Sequence, residues 1–114
     1  MEYELNQNAV PRGTSNQGLL HASPKRVKEL FGEPVHWPGD TECLGNYIFV
    51  GEDGTVCALY CMAYDAPEAN TRNARAEFWN HSGIIEVHIG AKDEDQSKAF
   101  RSWLEAKISS GLPL

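Results

Sequence analysis

The stretch Asn46-Tyr47-Ile48-Phe49-Val50-Gly51-Glu52-Asp53-Gly54-Thr55-Val56-Cys57-Ala58-Leu59-Tyr60-Cys61-Met62-Ala63-Tyr64 decides the fold. Its two halves, Asn46 to Gly51 and Thr55 to Tyr64, are rich in β-branched and aromatic residues and flank Glu52-Asp53-Gly54. An Asp-Gly in that setting reads as the turn of a β-hairpin. Side chains alternate along a strand, so Cys57, Leu59, Cys61 and Ala63 share one face and Val56, Ala58, Tyr60, Met62 and Tyr64 the other. Both faces are apolar. Such a strand is covered on both sides, by its own chain or by a second copy, which implies a homodimer.

Towards the carboxyl end, Ile85, Val87 and Ile89 alternate with Glu86, His88 and Gly90, the mark of a half-buried strand. Asp93 followed by Gln96 forms a capping box, and Glu94 and Asp95 suit the positive end of a helix. In that helix Ala99, Phe100, Trp103, Leu104 and Ile108 share a face, and it ends near Ser110. Towards the amino end, Ser23-Pro24 opens a helix that runs to about Phe31, where Gly32 and Pro34 stop it. Val27, Leu30 and Phe31 form its apolar stripe. Leu19, Leu20 and Ala22 suggest a short strand. Residues 1–18 read as a loop, with 1–12 an extended arm, and 65–76 reads as a loop with room for one helical turn. The order predicts one α+β domain over residues 1–114, an antiparallel sheet with two helices packed on one side. Leu30, Phe31, Phe100, Trp103 and Leu104 are the expected helix contributions to the core.

Composition excludes several classes. Hydrophobic residues make up 41% and charged residues 23% of the 114, which is globular rather than disordered. No run of about 18 apolar residues is present, and the first residues are acidic and polar, so a cytoplasmic protein with no membrane attachment is expected. Cys43, Cys57 and Cys61 are too few for a disulfide scaffold and read as reduced core thiols.

Charge is unevenly placed. The net charge is −6, yet from Glu29 through Thr71 there is no Lys or Arg, while Glu29, Glu33, Asp40, Glu42, Glu52, Asp53, Asp65 and Glu68 all fall there. This disfavours direct nucleic-acid binding, which depends on Lys and Arg neutralising phosphate. It suits a basic partner surface.

The chemistry-bearing residues form no strong motif. Cys57 and Cys61 lie four apart on a strand, about 13 Å at about 3.3 Å per residue, too far to share one zinc ion. Cys61 with His88 and Asp65 would make a nucleophile, base and orienter, but no nucleophile elbow or glycine-rich oxyanion turn accompanies them. Glu52 and Asp53 lie at a wet hairpin tip, where neither pKa would be raised for acid–base work. Gly13 to Gly18 has the glycine spacing of a phosphate loop but is followed by Leu19-Leu20 where Lys and Ser or Thr are required. A polar loop remains, in which Thr14, Ser15 and Gln17, with His88, could hydrogen-bond a small ligand while Arg72, Arg75 or Lys92 meet its phosphate. Trp79, Tyr60 and Tyr64 could stack on a base. No cofactor or metal is expected.

Taken in order, Gly13-Thr14-Ser15-x-Gln17-Gly18, Leu30-Phe31-Gly32-Glu33-Pro34, Asp53-Gly54-Thr55-Val56 and Glu86-Val87-His88-Ile89-Gly90 resemble a group of small bacteriophage and prophage proteins of unassigned role. The resemblance spans about residues 13 to 105. This chain has Asn16 where Leu is usual, Val87 where Trp is usual and Ala91 for a second Gly. The resemblance implies a mobile-element origin and, by analogy with other small acidic phage proteins, opposition to host defence. The leading expectation is a non-enzymatic, anti-CRISPR-like inhibitor that occludes a basic host defence protein with Glu42, Glu52, Asp53, Asp65 and Glu68. The alternatives are a sponge that sequesters a nucleotide immune signal through Thr14, Ser15, Gln17, Arg72, Arg75 and His88, and a small enzyme.

Overall fold

The computed structural model describes residues 1–36, 43–62 and 71–110. In chain order the elements are β1 (Tyr3–Leu5), β2 (Ser15–Ala22), α1 (Pro24–Phe31), β3 (Cys43–Gly51), β4 (Val56–Met62), α2 (Arg72–Phe78), β5 (Ile85–Ala91) and α3 (Glu94–Ser109). The five strands form one sheet in the order β1-β3-β4-β5-β2, and every neighbouring pair is antiparallel. The α+β class with an antiparallel sheet is as the sequence predicts.

The central hairpin forms where expected. Val50 pairs with Val56, the Gly51 amide donates to the Thr55 carbonyl at 2.8 Å, and Gly54 takes a φ of 86°, open to a residue without Cβ. The Asp53 carboxylate accepts the Thr55 amide at 2.9 Å and fixes the turn. α1 and α3 begin on their expected caps: Ser23 Oγ accepts from the Arg26 amide at 3.1 Å and Asp93 Oδ1 from the Gln96 amide at 2.8 Å.

The amino-terminal segment departs from expectation. Ser15–Ala22 is an eight-residue strand along β5, with Ser15 opposite Ala91 and a bulge between Asn16 and Gly18. Tyr3–Leu5 pairs with Gly51–Phe49 at the opposite edge. Both are edge strands; β1 is three residues, too short for its Tyr3-Glu4-Leu5 alternation to stand out, and β2 opens on the polar run Ser15-Asn16-Gln17. Beyond β1, the Asn6 amide donates to the Ile48 carbonyl and Gln7 Oε1 accepts the Ile48 amide, so a side chain continues the pairing. A third helix, α2, occupies part of the segment read as a loop; Thr71 caps it by accepting from the Ala74 amide at 3.2 Å.

One core lies between the sheet and the helices. Leu20, Tyr47, Phe49, Leu59, Val87 and Ile89 from the strands meet Val27, Phe100 and Leu104 from α1 and α3. Phe49 is the centre of a ring cluster, 5.0 Å from Phe31, 5.2 Å from Phe100 and 5.7 Å from Trp103 between centroids. Phe31 and Trp103 are half-buried against this core, as the stripes predict. Leu30 is a correction: it is only partly buried and outside the core cluster, because Val27 and the first-turn Pro24 take the inward positions of α1.

Among the described residues, the helix side chains of the core all pack on one face of the sheet, and the other face is separate from that core. Ile48, Ala58, Tyr60 and His88 alternate with core residues and so point there. The connection from β1 to β2 starts at Asn6 beside Ile48 and ends with Thr14 over Gly90. Ile48 and Ala58, on the row between, are buried within the single chain, Ala58 at 4% exposure. Val56 and Tyr60 remain half-buried.

Candidate functional site

The hairpin tip and β1 together build an acidic corner. Because Tyr3 pairs with Gly51, Glu2 lies beside Glu52: the Glu2 amide donates to Glu52 Oε1 at 2.6 Å, and the Glu52 amide to the Glu2 carbonyl at 3.1 Å. Glu4 follows opposite Val50. A concavity of about 510 Å³ runs along this edge, with Glu2, Glu4 and Glu52 among its walls and, among the described residues, no Lys or Arg. The hydrogen bonds from Thr55 hold the Asp53 carboxyl below the usual carboxylate range. Glu2 is also anchored, its Oε2 accepting the Trp103 indole N–H at 3.0 Å. Of the acidic residues expected to meet a partner, Glu52 and Asp53 are at this corner, and Glu42, Asp65 and Glu68 lie outside the described residues. Glu2 and Glu4 were not expected there; the only signal for them would have been the pairing of β1.

The six residues expected to hold a small ligand fall into separate groups. Thr14 and His88 both lie on the sheet face turned away from the core. Thr14 Oγ1 is near Gly90, the Asn16 amide nitrogen is 3.2 Å from His88 Nδ1, and the His88 and Tyr60 rings stack with centroids 5.5 Å apart. Ser15 and Gln17 instead bond each other at 2.8 Å beside the bulge.

Arg72 and Arg75 belong to the helical side. They project from α2 into a groove of about 260 Å³ that also receives Lys28 from the last turn of α1 and His36 from the chain beyond it. Pro34, Leu44 and Trp79 supply the apolar wall. Trp79 is fixed by its indole N–H, which donates to the Leu44 carbonyl at 3.0 Å, and by edge contact with Tyr47. Gly45 makes this approach possible, since a Cβ there would fall 2.9 Å from both Pro34 and the Trp79 ring nitrogen. Among the described residues Glu33 is the single acid lining the groove, and it pairs with Lys28 at 3.1 Å.

Cys57 and Cys61 face the core, while His88 points to the opposite face, so Cys61 and His88 cannot form a nucleophile–base pair. All three thiols are buried and unpaired with one another. Burial, then the nearby charges of Asp53 and Asp93, push the Cys57 thiol up to about 11, and burial raises Cys61 further. Among the described residues no three His, Cys, Asp or Glu side chains gather as a metal site would need, and no helix is long and apolar enough to cross a membrane. No protein-family model matches the sequence, and no curated protein matches it.

Proposed function

We propose that this chain is a non-enzymatic binding protein of mobile-element type, a counter-defence inhibitor that sets its acidic corner against a basic surface of a host defence protein. The observation that carries this reading is the meeting of Glu2, Glu4, Glu52 and Asp53 at one edge whose concavity, among the described residues, has no Lys or Arg in its wall. Strand pairing and the Asp53 turn hold the backbone there before any partner arrives, so little ordering accompanies docking. Carboxylates grouped this way raise the rate of encounter with a basic surface and disfavour acidic competitors.

The test is a charge-neutral variant, Glu4→Gln with Glu52→Gln and Asp53→Asn, which spares the Glu2 contact to Trp103. The wild-type chain, immobilised, is expected to retain a host protein that the variant loses and that raised salt releases. Melting should stay within about 0.5 kcal/mol of wild type, because exposed charges add little to stability. Retention of the same protein by the variant at unchanged association rate would refute the reading.

A further inference from the structure

We propose that the outer edge of β2 is the surface on which a second copy of this chain docks, its own β2 running antiparallel to the first, so that the two sheets become one. The inference is independent of the acidic corner, which lies at the opposite edge of the sheet.

The first ground is the state of the edge. β2 is the last strand of the order, eight residues long, and pairs with β5 on one side only. Alternate residues of such a strand turn their N–H and C=O groups away from the neighbour. Among the described residues no backbone hydrogen bond from a turn, loop or cap reaches Ser15–Ala22. From Gly18 to Ala22 the strand is regular, matched residue for residue with Ile89 to Ile85, so its outward groups stand in an unbroken row.

The second ground is the lack of protection. Edge strands are ordinarily guarded by charge, proline or shortness. β1 has two of these guards, being three residues long with Glu4 at its middle. β2 has none of them: Ser15-Asn16-Gln17-Gly18-Leu19-Leu20-His21-Ala22 contains no Lys, Arg, Asp, Glu or Pro. Its bulge lies between Asn16 and Gly18 and spares the regular run.

The third ground selects the occupant. A strand paired antiparallel with itself about a two-fold axis satisfies the same groups on both copies, and the contact closes at two chains. β1 of another copy would cover only three residues of β2 and bring Glu4 to it, so the head-to-tail alternative is the poorer fit. A concavity of about 630 Å³ follows Gly18 to His21, with Arg101 and Glu105 of α3 on its helical side. These two side chains are paired with each other at 3.5 Å, one helical turn apart. The reversed direction of a second copy sets Arg101 towards Glu105 of that copy, so the pairs exchange across the junction and no charge loses its partner. The joined sheet carries an acidic corner at each far end.

The experiment is sedimentation equilibrium of the full chain, with amide hydrogen exchange read at the same concentrations. The expected result is a monomer–dimer equilibrium with a Kd on the order of 10 μM. Exchange should slow in Gly18–Ala22 as dimer forms, and not in Tyr3–Leu5. Glu105→Arg sets Arg101 against a like charge and should weaken the dimer at least about tenfold, and adding Arg101→Glu should restore it to within about threefold. Both side chains reach solvent on α3, so the variants keep the fold, which circular dichroism checks. His21→Lys places a lysine guard at an exposed position of the edge and should weaken the dimer as well. A chain that stays monomeric at about 200 μM would overturn the proposal. So would a dimer that Glu105→Arg and His21→Lys leave intact, which means contact through another face, and so would protection of Tyr3–Leu5 in place of Gly18–Ala22.

Discussion

Gly18 on β2 lies directly against Ser97 of helix α3, and it supports a test in which one substitution changes sign with its background. A Cβ built at Gly18 falls 2.5 Å from Ser97 Oγ and 3.7 Å from Ser97 Cβ. Ser97 is 2% exposed, four residues beyond the Asp93 cap, so its hydroxyl can move only to another staggered position inside packed surroundings. In the wild-type background Gly18→Ala therefore overpacks the site and should cost about 1 to 3 kcal/mol. Ser97→Ala removes the clashing oxygen and leaves the 3.7 Å contact, which is ordinary van der Waals distance. In that background the added methyl no longer strains the native state, and its restriction of the unfolded chain should stabilise by about 0.4 to 1 kcal/mol. The coupling between the two sites is then about 2 kcal/mol. Urea unfolding followed by the fluorescence of buried Trp79 would read it, since about 2 kcal/mol at a slope of about 2 kcal/mol per molar shifts the midpoint by about 1 M. Gly18→Ala that destabilises equally with and without the Ser97 hydroxyl would refute the packing of α3 on β2.

Phe100 is fully buried, with Tyr3 at 5.1 Å and Phe49 at 5.2 Å, and Phe100→Ala should cost about 3 to 5 kcal/mol; unchanged thermal melting would contradict its place in the core. Alkaline pH should destabilise the chain. Cys57 titrates near 9.0 when unfolded and about 11 when folded, and burial also raises Cys61 and Tyr47, so the unfolded state loses protons first. Stability is then full below about pH 9 and falls above it, by at most about 1.4 kcal/mol per pH unit for each such group. Equal urea midpoints at about pH 8 and about pH 10.5 would contradict this.

The elements legible in the sequence are those whose signals are local. Asp53-Gly54 closes the hairpin with neighbours two residues away, and the Ser23 and Asp93 caps bond three residues on. The elements that escaped depend on distant partners. Ser15 becomes a strand residue because Ala91 lies opposite it, and α2 buries no residue of its own, so no apolar stripe announces it. The sites divide in the same way. Arg72 and Arg75 are recognisable as cations, but their company, Lys28 and His36, is brought by the exit of α1. Thr14 and His88 share a sheet face, yet the meeting of His88 with Asn16 and Tyr60 comes from strand order, which spacing along the chain does not reveal.

Both outer strands of the sheet come from the first 22 residues, while β3, β4 and β5 fill the middle. On the ribosome this inverts the order of birth and use. β2 emerges early but cannot pair until Ala91 is made, a wait on the order of 4 to 15 seconds at about 5 to 20 residues per second. During that interval an apolar β2 would be open to strands of other nascent chains. Ser15, Asn16 and Gln17, the polar run that hid this strand from its periodicity, give it little to offer such partners while it waits.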